Sequence, residues 1–99
     1  MNPPALEPAE LALLRGVFLR HPEIHSVKLF GSRAKGIHTP ASDVDLALWA
    51  DLDALHTEAI AAELDELPLP YRYDVQAFHL IRHQPLREHI ERVGIQVYP

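Results

Sequence analysis

Asp43 and Asp45 stand at the start of an apolar run, Val44-Asp45-Leu46-Ala47-Leu48-Trp49, that reads as a strand. Residues i and i+2 of a strand point to one face, roughly 6.6 Å apart, so both carboxylates aim at one spot. Two unit charges about 6 Å apart repel by ~3 kcal/mol at an effective dielectric near 20. The whole stability of a small domain is only about 5–15 kcal/mol. Any fold adopted by this chain must therefore compensate the pair. A divalent cation does so, because Mg²⁺ binds through one or two carboxylates, keeps waters and takes further oxygens from substrate phosphates.

The stretch ahead of the acids supplies the complementary half. Gly31-Ser32-Arg33-Ala34-Lys35-Gly36 follows directly on a strand-like segment, His25 to Phe30. Without a side chain, Gly31 lets a phosphate approach the backbone. Ser32 offers a hydroxyl and an amide, and a short helix starting there turns further N–H groups toward an anion. Gly36 closes the turn, and Arg33 and Lys35 add positive charge, as phosphate contacts or as solvated side chains. Ser42, just before the acids, joins Gly31, Ser32, Arg33, Lys35 and Gly36 as a candidate nucleotide contact. One half of the constellation suits phosphate and the other half its metal, which describes a nucleoside triphosphate site.

A third acid lies in Tyr71-Arg72-Tyr73-Asp74-Val75-Gln76-Ala77-Phe78, a segment rich in β-formers. Asp74 falls on the opposite face from Tyr73 and Val75. If this strand neighbours the one bearing Asp43 and Asp45, Asp74 joins their cluster, to hold a second metal or to take the proton of an attacking hydroxyl. Its plainer reading is a surface acid between Arg72 and Gln76. Ser42-Asp43-Val44-Asp45 alone also fits an Asx turn entering a strand. An EF-hand does not fit, since Val44 and Leu46 are apolar where such a loop stays polar.

The remaining pattern alternates helices and strands. Pro8 opens a helix to about Arg20 with Leu11, Leu14 and Phe18 on one stripe, and Pro22 ends it. Val27 and Leu29 alternate against Lys28 and Phe30. Asp53 caps a helix through Leu67, closed by Leu-Pro-Leu-Pro. Gln84-Pro85 starts a last helix carrying Leu86, Ile90 and Val93, Gly94 caps it, and Ile95 to Pro99 reads as a closing strand. The expectation is a single α+β domain over residues 1–99, with a small mixed sheet flanked by helices. Trp49, Tyr71, Tyr73 and Tyr98 read as core or partner-interface residues. His79 and His83 have i, i+4 spacing but no third ligand, and no histidine is assigned a metal role.

Composition narrows the function classes. Of 99 residues, nine are Lys or Arg and fourteen Asp or Glu, and a net charge of −5 speaks against direct nucleic-acid binding. With no cysteine there is no disulfide, thiolate nucleophile or zinc-thiolate site. The N-terminus, Met1-Asn2-Pro3-Pro4-Ala5, does not read as a signal peptide, and no run approaches the ~20 apolar residues of a membrane helix. A cytoplasmic protein without membrane attachment is expected.

The Gly-Ser turn followed by Asp-x-Asp resembles the signature of the nucleotidyltransferase superfamily that includes DNA polymerase beta. The short length, Ser42-Asp43-Val44-Asp45-Leu46 and the stretch Tyr73-Asp74-Val75-Gln76 resemble its minimal nucleotidyltransferase (MNT) branch. The resemblance implies a mixed sheet flanked by helices and transfer of a nucleoside monophosphate from a triphosphate, with Mg²⁺ as cofactor and ATP as substrate. Gly31 and Ser32 would hold the triphosphate, Asp43 and Asp45 the metals, and Asp74 would be the third carboxylate. It further implies an antitoxin paired with a HEPN-type ribonuclease toxin, which it silences by moving AMP onto a tyrosine. Two alternatives stay open: a non-catalytic antitoxin that neutralises by complex formation, and an enzyme acting on a small-molecule hydroxyl.

Overall fold

The computed structural model describes residues 6–39 and 41–99. The signal-peptide reading of the first five residues, and Pro40 within the polar loop, lie outside these. Helix α1, Pro8–Leu19, starts with proline in its first turn, and the Glu7 N–H donates to Glu10 Oε1 at 2.9 Å. Strand β1 is Ile24–Phe30, helix α2 is Ser32–Lys35, and strand β2 is Val44–Ala50. Helix α3, Ala54–Asp65, begins where the His56 N–H donates to the Asp53 carboxylate at 2.8 Å. Strand β3, Tyr73–Ala77, runs into a 3₁₀ turn, Phe78–Leu80. Helix α4, Gln84–Val93, and strand β4, Ile95–Tyr98, complete the chain.

The sheet has the order β3-β2-β1-β4. The β1 strand is antiparallel to both β2 and β4, whereas β2 and β3 are parallel. A parallel pair requires a crossover, and α3 provides it between β2 and β3. The mixed sheet flanked by helices is the architecture expected.

Both faces of the sheet are covered. Val27, Leu29, Val44, Leu46 and Leu48 meet Leu14, Val17 and Phe18 of α1 and Ile60 and Leu64 of α3. Each large aliphatic side chain buried there stabilises the domain by ~1.5–3 kcal/mol. The opposite face has a smaller core of Phe30, Ala47, Phe78, Ile81 and Ile90, flanked by Trp49 and Leu86. Trp49 stacks on Phe78 with ring centroids 4.4 Å apart. Phe30, expected on the Lys28 side of its strand, is on that side but buried rather than exposed, because α4 and the 3₁₀ turn cover this half of the face.

Several boundaries differ from the sequence reading: β1 starts one residue earlier, at Ile24, and β4 stops at Tyr98, before Pro99. Helix α3 ends at Asp65, before Leu67. Strand β3 begins at Tyr73 because Tyr71 is engaged elsewhere, donating its hydroxyl to Glu10 Oε2 at 2.6 Å. It stops at Ala77, since Phe78 enters the 3₁₀ turn that carries its ring to Trp49. Gly94 caps α4 with its N–H on the Ile90 carbonyl, 2.9 Å, yet its backbone is extended rather than left-handed. Among the described residues, no helix is long and apolar enough to cross a membrane.

Candidate active site

The turn after β1 and the acids of β2 meet on the face that α4 only partly covers. Gly31 has φ 76°, a conformation that side-chain-bearing residues resist. From there α2 begins at Ser32 and ends on Gly36, which is left-handed with φ 75°. The Lys35 N–H donates to the Gly31 carbonyl at 3.2 Å and the Ile37 N–H to the Ser32 carbonyl at 3.1 Å, so the turn is held by its own backbone. The short helix expected at Ser32 is present. Ser32 is half-buried and Lys35 exposed.

Register decides where the acids lie. Asp45 pairs with Phe30 in β1 and with Asp74 in β3. Tyr73 and Val75 join the first core, so Asp74 and Gln76 project to the other face, with Asp45. Neighbouring strands are about 4.8 Å apart, so Asp45 and Asp74 sit side by side. Asp43, exposed just before β2, lies close enough for its charge to be felt at Asp45. Burial, then Asp74, then Asp43 push the Asp45 carboxyl up to about 6, and Arg33 pulls the other way. Gln76 Nε2 donates to Asp74 Oδ2 at 3.5 Å.

Two of the expected nucleotide contacts have other partners. The Arg33 side chain is only 4% exposed. Its Nε and Nη2 donate to the Ser42 carbonyl at 3.2 and 3.0 Å, and its guanidinium lies 4.5 Å from the Tyr71 ring centroid. The Ser42 hydroxyl accepts from the Thr39 N–H at 2.9 Å and so ties the loop before Asp43. Tyr71 and Glu10, which back this arrangement, were not expected as site residues. Nothing local marks them, because Glu10 belongs to α1 and meets Tyr71 only in the folded chain. His89 of α4 also borders the site, edge-on to Phe30 at 6.3 Å, its basicity lowered by burial, Lys35 and Arg92. Its only sequence signal is a place beside the apolar stripe of α4.

The donor set defines what the site can hold. Among the described residues, no three carboxylates or imidazoles close around a point as a complete metal cage. Asp45, burdened by two like charges, is nonetheless an oxygen donor that a hard divalent cation would relieve. Mg²⁺ fits such an incomplete set, since it draws its other ligands from phosphate and water.

Comparison with known proteins gives the family of the chain. The family model for polymerase beta-type nucleotidyltransferases matches residues 14–99. The chain belongs to the polymerase beta nucleotidyltransferase family. This nucleotidyltransferase also resembles solved structures of toxin–antitoxin complexes. One, a toxin–antitoxin with AMP-PNP, is 25% identical with a TM-score of 0.72, over 93% of this chain and 73% of that one. Another is a tri-AMPylated Shewanella oneidensis HEPN toxin in complex with an MNT antitoxin, 19% identical with a TM-score of 0.71, over 93% and 71% of the two chains. A third, MntA-HepT, is 19% identical with a TM-score of 0.71, over 92% and 71%. At the lower identities the likeness is one of fold. None of the curated proteins compared in sequence matches the chain.

Proposed function

We propose that this nucleotidyltransferase is a cytoplasmic, Mg²⁺-dependent protein adenylyltransferase, an antitoxin that moves AMP from ATP onto a hydroxyl, a tyrosine in first place, of a HEPN-type ribonuclease toxin. The observation that carries the reading is the Asp45–Asp74 register, set beside the Gly31–Ser32 turn. The complexes described for its structural neighbours support the choice of partner and nucleotide.

In this reading Gly31 and Ser32 receive the triphosphate through backbone N–H groups and the Ser32 hydroxyl. Asp43 and Asp45 hold the metal, with Asp74 completing the acidic face. When bound, Mg²⁺ neutralises charge on the phosphate oxygens and on the leaving group. Asp74 takes the proton of the acceptor hydroxyl as that oxygen bonds to the α-phosphorus. The bond from the α-phosphorus to the bridging oxygen breaks, and pyrophosphate leaves. Lys35, exposed at the end of α2, adds positive charge to this turn.

The test is the intact mass of the partner purified from cells carrying wild type or the Asp43→Asn/Asp45→Asn variant. The expected result is a partner heavier by whole AMP units with wild type only. An unmodified partner bound equally by both proteins would make the chain a cover rather than a catalyst. Modification of a small hydroxylated molecule instead would reassign the acceptor.

A further inference from the structure

Arg33 was expected to reach phosphate, but its surroundings fit another task. It leaves α2 toward the interior, where only 4% of its surface meets solvent. Its fork straddles the carbonyl of Ser42, the residue that leads into Asp43. The guanidinium carbon lies over the Tyr71 ring, 4.5 Å from its centroid, and the Tyr71 hydroxyl donates to Glu10 of α1 at 2.6 Å. Four parts of the chain far apart in sequence thus converge: α1, the glycine turn, the loop before β2, and the entry to β3. A rigid, planar fork suits this geometry, whereas a lysine ammonium offers a single point of charge and no stacking plane.

We propose that Arg33 is a positioning residue for the metal site: braced by Tyr71 and Glu10, it fixes the Ser42–Asp43 peptide so that Asp43 faces the same point as Asp45. This inference rests on Asp43 and Asp45 being the metal-holding pair, and it goes beyond that reading by giving the site a support reaching back to α1. Asp43 is exposed; the Val44 N–H on the Arg72 carbonyl, 2.8 Å, holds the chain after it, and without the brace only the Thr39–Ser42 loop holds the chain before it. Arg33 also brings its positive charge near Asp45, so the brace and the acids it places are electrostatically matched.

A support of this kind governs metal affinity more than nucleotide affinity. Removing a partner that orients a metal ligand costs roughly 10–100-fold in metal affinity or activity. The experiment uses the full chain and compares wild type with Arg33→Lys, Tyr71→Leu and Tyr71→Phe. Mn²⁺ binding is followed by its paramagnetic relaxation signal, ATP binding by calorimetry without metal, and AMP transfer to the co-purified partner by its initial rate. Thermal melting confirms that each variant is folded.

Arg33→Lys and Tyr71→Leu should weaken Mn²⁺ at least tenfold while metal-free ATP affinity stays within about threefold, and kcat should fall more than KM rises. Tyr71→Phe, which keeps the ring and loses only the bond to Glu10, should show a smaller effect in the same direction. If Arg33→Lys instead leaves Mn²⁺ binding unchanged and weakens ATP, Arg33 is a phosphate contact and the brace is wrong. Should Arg33→Lys not fold, Tyr71→Leu decides by the same readings. Failure of the adenylyltransferase reading is distinguishable, because the Mn²⁺ titration needs no AMP transfer.

Discussion

The Asp45 carboxylate occupies the space that any side chain at position 31 would need: an ideal Cβ on Gly31 overlaps Asp45 Oδ2 and lies 3.1 Å from Asp45 Cγ. Turn and acid are therefore one unit. Gly31→Ala combines that overlap with a positive φ and should cost on the order of 1–3 kcal/mol in urea denaturation. The displaced carboxylate should also lose most of its Mn²⁺ affinity. A variant as stable as wild type with unchanged Mn²⁺ binding would separate the turn from the site.

Asp45 should destabilise the metal-free protein at neutral pH. Its carboxyl is raised to about 6 in the fold against 3.8 as the ordinary value, by burial first and then by Asp74 and Asp43. The folded state thus holds the proton more tightly, so this contribution to stability is present below the ordinary value and lost as pH rises through about 6. Asp45→Asn, with chelator present, should raise the melting temperature at pH 7.5 by several degrees and leave it unchanged near pH 3.5. A difference independent of pH would assign the effect to packing instead.

Metal binding should follow the opposite course. The cation needs the ionised carboxylate, so the thermal stabilisation that Mg²⁺ confers on wild type should fade as pH falls through about 6. Melting curves with and without Mg²⁺ from pH 5 to 8 check this. In Asp45→Asn the Mg²⁺ increment should be small at every pH.

Strand β2 alternates between two kinds of consequence. Leu46, with no exposed surface, belongs to the core under α1 and α3, and Leu46→Ala should cost about 2–5 kcal/mol. Its neighbour Asp45 points to the other face, and the asparagine variant should keep the fold while losing AMP transfer. Chemical denaturation and the partner mass assay should separate the two substitutions cleanly.

Helix α1 offers a substitution of opposite sign. Gly16 lies within the helix, and an added Cβ would have no heavy atom within 4 Å. Gly16→Ala should stabilise the protein by about 1 kcal/mol, the difference in helix propensity, without changing metal binding. Loss of stability would mean that the backbone there needs glycine.

Much of the site could be read from the sequence because it depends on short-range geometry. The period of a strand turns Asp74 away from Tyr73 and Val75, whichever strand lies beside it, whereas Asp43 lies just before β2, where that period no longer applies. What could not be read is anything set by long-range meeting. The Asp45–Asp74 register requires the parallel pairing made by α3. Arg33 read as a phosphate contact or a solvated cation because nothing near it in sequence foretells Tyr71, and Tyr71 read as a strand residue because nothing foretells Glu10. Gly94 caps α4 as expected, but what calls for glycine there is room rather than backbone conformation, since a Cβ would collide with the Ile90 carbonyl. Phe30 has the alternation of an outward residue and is buried because α4, far along the chain, covers it.

The sheet order gives the two facing acids unequal support. Asp45 belongs to a strand paired on both sides, whereas Asp74 belongs to β3, whose outer edge is open within the described chain. Changes along that rim need not disturb the hydrogen bonds that fix Asp45. The two acids that face each other thus differ in setting, Asp45 locked between two neighbours and Asp74 on a margin with one.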